Sequence, residues 1–228
     1  MRRGTAASAV YYDGVIFDMD GVLVEPAPRS LLESAAERAF EACGVPDPPA
    51  DHVADMSLGV DVDSLERVCE SHGLDRATFW QTRDACASRA QVRAALDGGK
   101  PPYGDVDALD AIERPLGVVS TNQQATVDYL LADYGLVRHF EVAYGRAPAV
   151  DHLRRKKPDP YFLERTAADL GVDEPLFVGD SESDVLAARN AGIDAAYVRR
   201  PHRSDATLSV EPEYEVPDLR ALLDVLGA

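Results

Sequence analysis

Two aspartates two residues apart, Asp18 and Asp20, close the apolar run Val15-Ile16-Phe17 and are followed by Gly21. An extended chain sends both side chains off one face. Like charges held that close repel unless a cation lies between them or one of them keeps a proton. Either arrangement is chemistry, because carboxylates are hard oxygen ligands for Mg²⁺ and a protonated carboxyl is a general acid. Gly21 lets the backbone turn sharply where the strand stops. The plainer reading is a polar strand end, and it loses ground because further groups suited to phosphate follow in order.

Ser120 closes a second apolar run, Leu116-Gly117-Val118-Val119, with Thr121 and Asn122 after it. A hydroxyl followed by free N–H groups at a helix start makes a phosphate cradle, although such a serine also serves as a simple helix cap. Lys157 lies in Arg154-Arg155-Lys156-Lys157-Pro158, a basic island in an acidic chain. A lysine fixed there neutralises a phosphate and a neighbouring carboxylate, with Lys156 as its competitor. Asp180 follows a third apolar run, Pro175 to Gly179, and can reach a metal shared with Asp18. Asp184, four residues on, lies one helical turn away and faces the same way. Capping is the alternative for each aspartate, and it requires four coincidences at four strand or loop ends.

The elements that position these residues alternate. After residue 24, Glu25-Pro26-Ala27-Pro28 breaks the strand. Helical spacing then predicts helices over 30–43, 63–72 and from Asp75 to 96, separated by a proline-rich connector at 45–50 and closed by turn residues at 97–102. Residues 25–100 therefore read as an all-helical cap domain inserted into a core made of 13–24 and 101–228. Beyond it, helices are expected over 107–113, 125–134, 159–171, 181–191 and 217–226, and strands over 116–120, 140–143, 175–179 and 195–198. Strand and helix in alternation predict an α/β fold with a doubly wound parallel sheet. On the inserted segment Arg67, Arg83, Arg89 and Arg93 are candidate substrate contacts, with surface helix positions as the plainer reading.

Composition narrows the function classes. A net charge of −17, from 40 acidic against 23 basic residues, argues against nucleic acid as a partner. No apolar run is long enough to span a bilayer, and Met1 to Val10 lacks a secretory hydrophobic region, so a cytoplasmic protein without a membrane partner is expected. Lysines are few and acid is spread along the chain, a pattern that suits a salt-rich, halophilic cytoplasm; an ordinary acidic protein is the alternative. Cys43, Cys69 and Cys86 have neither disulfide nor zinc spacing and read as small core residues.

The opening Asp18-Met19-Asp20-Gly21-Val22-Leu23, Ser120 after an apolar strand, Lys157 before Pro158, and Gly179-Asp180 with Asp184 together resemble the haloacid dehalogenase superfamily, on its phosphatase branch with a helical cap and of the phosphoglycolate phosphatase type. The resemblance spans nearly the whole chain. It implies a Rossmann-like core, a cap that closes over the site, and a Mg²⁺ cofactor. It implies Asp18 as nucleophile forming an aspartyl-phosphate, Asp20 as acid and base, Ser120 as a phosphate ligand, with the backbone N–H of Thr121 assisting, and Lys157 steadying phosphate and Asp18. It also implies Asp18, the carbonyl of Asp20, Asp180 and Asp184 around the metal. The departures are Thr121 where asparagine is frequent, Lys156 where glycine is frequent, and the Glu25-Pro26 exit. The function expected is hydrolysis of a small phosphorylated metabolite by a monomer or homodimer. The alternatives are a sugar-phosphate mutase of the same family, a phosphoacceptor signalling domain and a non-catalytic phosphate-binding regulator. A dehalogenase fits less well because Asp20 is present.

Overall fold

Apolar runs that end in a carboxylate, a hydroxyl or a glycine become the strands, and amphipathic segments become the helices around them. The computed structural model describes residues 11–227; residues 1–10, read above for a secretory signal, lie outside the described residues. The chain begins with β1 (Gly14–Phe17) and then forms four helices, α1 (Arg29–Ala42), α2 (Ala50–Asp55), α3 (Val62–His72) and α4 (Arg76–Leu96). A 3₁₀ turn at Val106–Ala111 leads to β2 (Leu116–Gln123), α5 (Gln124–Asp133), β3 (Val142–Arg146), α6 (Val150–Arg154) and α7 (Tyr161–Leu170). The chain closes with β4 (Pro175–Gly179), α8 (Glu182–Ala191), β5 (Asp194–Val198), β6 (Tyr214–Val216) and α9 (Leu219–Leu226).

The sheet is parallel throughout, in the order β3-β2-β1-β4-β5-β6. The order reverses between β1 and β4, and in open sheets of this kind ligands sit beyond the carboxyl ends at that point. Val15 and Phe17 pack on one face with Val118, Val178 and Leu222. Ile16 packs on the other with Phe162, Phe177, Val185 and Ala188. Both faces are therefore covered by helices, which is why these strands read as continuous apolar runs. Each such side chain contributes about 1.5–3 kcal/mol when fully buried.

The four helices after β1 bury their own apolar cluster, with Phe40, Met56, Leu65, Val68, Phe79 and Trp80 at its centre. Asp61 and Asp75 cap α3 and α4 through the main-chain N–H groups of Ser64 and Thr78. The two chain crossings lie side by side. Glu25 N–H donates to the Pro101 carbonyl at 2.9 Å, and Tyr103 N–H to the Leu23 carbonyl at 3.0 Å. Among the described residues no helix is long and apolar enough to cross a membrane.

Several expectations shift. The strand expected to end at Ser120 runs on to Gln123, because Gln123 pairs with Arg146 after a register shift. The strand expected over 140–143 lies at Val142–Arg146, and Phe140 instead closes the 3₁₀ turn Leu136–His139. The helix expected over 107–113 is the 3₁₀ turn at Val106–Ala111. The last helix starts at Leu219, where Asp218 caps it through the N–H of Ala221. Two short helices, α2 and α6, and the three-residue edge strand β6 carry too few residues to show a period.

Candidate active site

Asp18 and Asp180 sit just past the ends of β1 and β4, the pair that flanks the reversal in strand order. Asp18 N–H donates to the Val178 carbonyl at 2.8 Å, which ties the two strand ends together. The Ser181 hydroxyl caps α8 by accepting from the Asp184 N–H, and the Asp184 carboxylate in turn accepts from the Asp180 and Ser181 N–H groups. This reciprocal cap holds Asp184 against the other two aspartates. Asp18, Asp180 and Asp184 each place a carboxylate oxygen within 4.8 Å of the others, and all three residues are buried. Lys157 Nζ lies 2.7 Å from Asp18 Oδ1 and 2.5 Å from Asp184 Oδ1.

Burial pushes the Asp18 carboxyl well above its usual range; Lys157 opposes the shift, and Asp184 and Asp180 add to it. Burial also works against the charge of Lys157, yet Asp18 and Asp184 outweigh it and hold the ammonium above its ordinary value. Three carboxylates facing one ammonium, with Arg203 reaching Asp180 from outside, are short of positive charge. The residues present fit a divalent cation that takes oxygen ligands. Asp184 Oδ1 is buried and receives no hydrogen bond of good geometry, and a Cβ on Gly21, whose φ is +86°, would come 2.3 Å from Asp180 Oδ2. Only glycine leaves room there for the carboxylates to converge.

The Asp18 and Asp20 carboxylates do not converge, as an extended chain through both would suggest. The strand ends at Phe17, and the two carboxylates part. Asp20 stays outside the three-carboxylate group. Its side chain pairs with Lys100 and accepts from Asn122 Nδ2 at 2.9 Å. Each aspartate therefore has its own lysine. Lys100, expected in a turn, is fully buried and also donates to the Glu25 carbonyl at 2.9 Å. The competition between neighbouring lysines resolves in the fold: Lys157 meets Asp18, while Lys156 donates to the Val60 carbonyl. The chain contains only three lysines, at positions 100, 156 and 157, and all three are gathered here. That scarcity is the signal that could have singled out Lys100.

Asp18, Asp20, Lys157 and Asp180 line a cavity of about 430 Å³. Of the hydroxyl pair, Thr121 lines it, together with Asn122. Ser120 is 2% exposed, and its Oγ accepts the Asn122 N–H at 3.1 Å. The structure thus buries Ser120 within β2 and places Thr121 on the cavity. His202 and Arg203, which the sequence did not single out, reach Asp180 Oδ2 at 2.7 and 3.2 Å.

The inserted helices supply part of the remaining lining, and Arg146 and Lys156 of the core face them. Arg67, Arg89 and Arg93 are exposed, as surface helix residues, but Arg83 is buried. Its Nε donates to the Met56 carbonyl at 2.7 Å and its Nη2 to the Ser57 carbonyl. Asp84 lies 3.3 Å from Arg83 Nη1 and forms a two-pronged pair with Arg146, which also donates from Nε to the Thr121 carbonyl at 3.0 Å. Trp80 packs under both guanidiniums, 5.4 Å from Arg83 and 4.6 Å from Arg146. Burial pushes Arg83 down to about 10 against the pull of Asp84. Burial, then repulsion from Arg146 and Arg83, brings Lys156 down to about 8. Gln91 exchanges hydrogen bonds with the Asn122 side chain at 2.9 and 2.7 Å, so α4 is linked through Asn122 to Asp20.

Residues 12–192 match the haloacid dehalogenase-like hydrolase family. The chain is 28% identical over 221 residues to the phosphoglycolate phosphatase of Neisseria meningitidis, covering 93% of this chain and 90% of that protein. It is 29% identical over 239 residues to the phosphoglycolate phosphatase of Escherichia coli (strain K12), covering 94% and 92%. Among solved structures, CbbY from Rhodobacter sphaeroides in complex with phosphate superposes with a TM-score of 0.70 at 18% identity, over 95% of this chain and 100% of that one. A HAD-superfamily hydrolase, subfamily IA, variant 1, from Geobacter sulfurreducens gives 0.61 at 21% identity, over 98% and 100%. At these identities the solved structures establish the shared fold. With the family match spanning most of its length and its aspartates at the reversal of the sheet, this chain belongs to the haloacid dehalogenase-like hydrolases and is similar to phosphatases among them over more than nine-tenths of its length.

Proposed function

We propose that the chain is a Mg²⁺-dependent phosphomonoesterase that hydrolyses a small phosphorylated metabolite through an aspartyl-phosphate. The observation that carries this reading is the buried Asp18 at the end of β1, held by Lys157 and faced by Asp180 and Asp184. An Asp18 oxygen attacks phosphorus as the ester oxygen departs. Asp20, oriented by Lys100 and Asn122, protonates that oxygen and then takes a proton from the water that cleaves the acyl-phosphate. Lys157 balances the charge of phosphate and nucleophile throughout. Ser120 and Thr121 contribute to phosphate binding, Thr121 from the cavity wall and the Ser120 hydroxyl from behind it, where it also accepts the Asn122 N–H. Asp18, Asp180, Asp184 and the carbonyl of Asp20 would hold Mg²⁺, which supplies charge neutralisation at the phosphate. In this reading residues 25–100 are a cap over a core of 13–24 and 101–228.

The names of the relatives nominate 2-phosphoglycolate as the first ester to assay. The test is phosphate release from a panel of small esters, with and without Mg²⁺ and at low and high salt, with Asp18→Asn beside the wild type. Mg²⁺-dependent release that disappears in the variant supports the assignment. Release that persists in Asp18→Asn overturns the nucleophile.

A further inference from the structure

The cavity has more positive charge than phosphate transfer at Asp18 uses. Lys157 is held by Asp18 and Asp184, Lys100 by Asp20, and Arg203 by Asp180. Three further cations line the cavity: Arg83 from α4, Arg146 at the end of β3 and Lys156 after α6. Arg83 and Arg146 share one carboxylate, Asp84, and Lys156 forms no ion pair among the described residues, Asp61 and Asp84 acting on it only from a distance. Lys156 has only the Val60 carbonyl. A tie between α4 and β3 needs one cation for one carboxylate, and Arg146 with Asp84 already supplies it. Cations removed from water without a partner are costly, so the surplus calls for an anion.

The donors to receive that anion are present. An arginine carries five N–H groups and a lysine three. Arg83 and Arg146 each use three on protein acceptors, and Lys156 uses one. Trp80, also on the lining, has an indole N–H with no acceptor among the described residues.

We propose that Arg83, Arg146 and Lys156 form a second anion-binding subsite, so that the natural ester carries a second acidic group besides the phosphate that is cleaved. The proposal rests on the phosphatase reading and narrows it to phosphomonoesters bearing a carboxylate or another phosphate. Because the subsite is built jointly by α4 and the core, it recognises that group where the inserted helices meet the sheet.

The test compares kcat/KM for three esters: 2-phosphoglycolate, ethane-1,2-diyl bisphosphate, and 2-hydroxyethyl phosphate, which has the same reach without the second charge. The wild type is expected to prefer one or both acidic esters through KM, and the preferred one identifies the group. Lys156→Gln, which can still donate to Val60, and Arg83→Lys are each expected to cut that preference by about tenfold or more, the size of one charge-assisted hydrogen bond. Equal kcat/KM for all three esters in the wild type, or a preference unchanged in both variants, overturns the subsite while leaving the phosphatase standing. Calorimetric affinities of the same esters for Asp18→Asn read the subsite without turnover. If no ester is hydrolysed, the phosphatase reading fails, and equal affinities for the acidic and uncharged esters would remove the subsite as well.

Discussion

The cavity has two walls of opposite character. On the sheet side, carboxylates outnumber cations: Asp18, Asp180 and Asp184 surround Lys157. The other wall, here the helical wall, lies where Arg83 of α4 meets Arg146 of β3 and Lys156 beyond α6; there cations outnumber carboxylates, with Asp84 paired to both arginines. A metal would relieve the first imbalance and the proposed anion the second, so an anionic substrate with its cation would balance both at once. The difference separates two tasks. In the proposed function the sheet wall would carry the chemistry, common to every ester that enters, and the helical wall the choice among esters.

Substitutions should divide along the same line. Asp18→Asn is expected to lower turnover of every ester by at least about a thousandfold while the thermal melt stays in place. Substantial remaining turnover would show that the sheet wall does not hold the nucleophile. Asp20→Asn should cost about 10²–10⁴-fold, with alkyl esters losing more than p-nitrophenyl phosphate, whose leaving group needs no proton. Equal losses on both would remove Asp20 as the acid.

On the helical wall the effect is smaller and depends on pH. Lys156 faces Arg83 and Arg146, which lower its proton affinity, and Asp61 and Asp84, which raise it. As pH rises through about 8 the amine loses its charge, and kcat/KM for the acidic ester should fall by about tenfold. Lys156→Arg, charged throughout that range, should flatten the profile; an identical profile would assign the change to another group. The smallest effect is on stability. Mg²⁺ at about a hundred times its dissociation constant should contribute about 2.7 kcal/mol, raising Tm by about 5–10 °C in a chain of this size. Asp180→Asn should abolish the shift, and a shift that survives would place the metal elsewhere.

The sheet wall was legible in the sequence because its parts are local. A short apolar run that ends in Asp-x-Asp-Gly or Gly-Asp announces both the strand and what stands at its end. The choice between Lys156 and Lys157 was not legible, since adjacent residues point apart and only the fold decides which one meets Asp18. The helical wall was illegible for a different reason. Arg146 meets Asp84 across 62 positions and Lys100 meets Asp20 across 80. Arg83 carries the same helical pattern as Arg67 and Arg93, and nothing local tells a buried guanidinium from an exposed one. The hydroxyl pair fell between these cases: its apolar strand was evident, but that the strand runs on to Gln123 depends on pairing with β3, and which of two neighbours on opposite faces meets the cavity depends on what packs there.

The gathering of all three lysines around one cavity has a consequence for covalent chemistry. Lys100 is fully buried, and the Lys157 side chain is 4% exposed, so the outer surface offers acylating agents, aldehydes and amine-directed crosslinkers almost no side-chain amine. Such reagents meet an amine only in the openings that Lys156 and Lys157 line. Lys156, whose proton affinity burial and the two arginines lower to about 8, is the first amine they would reach, and an ester bound at the proposed subsite would shield it.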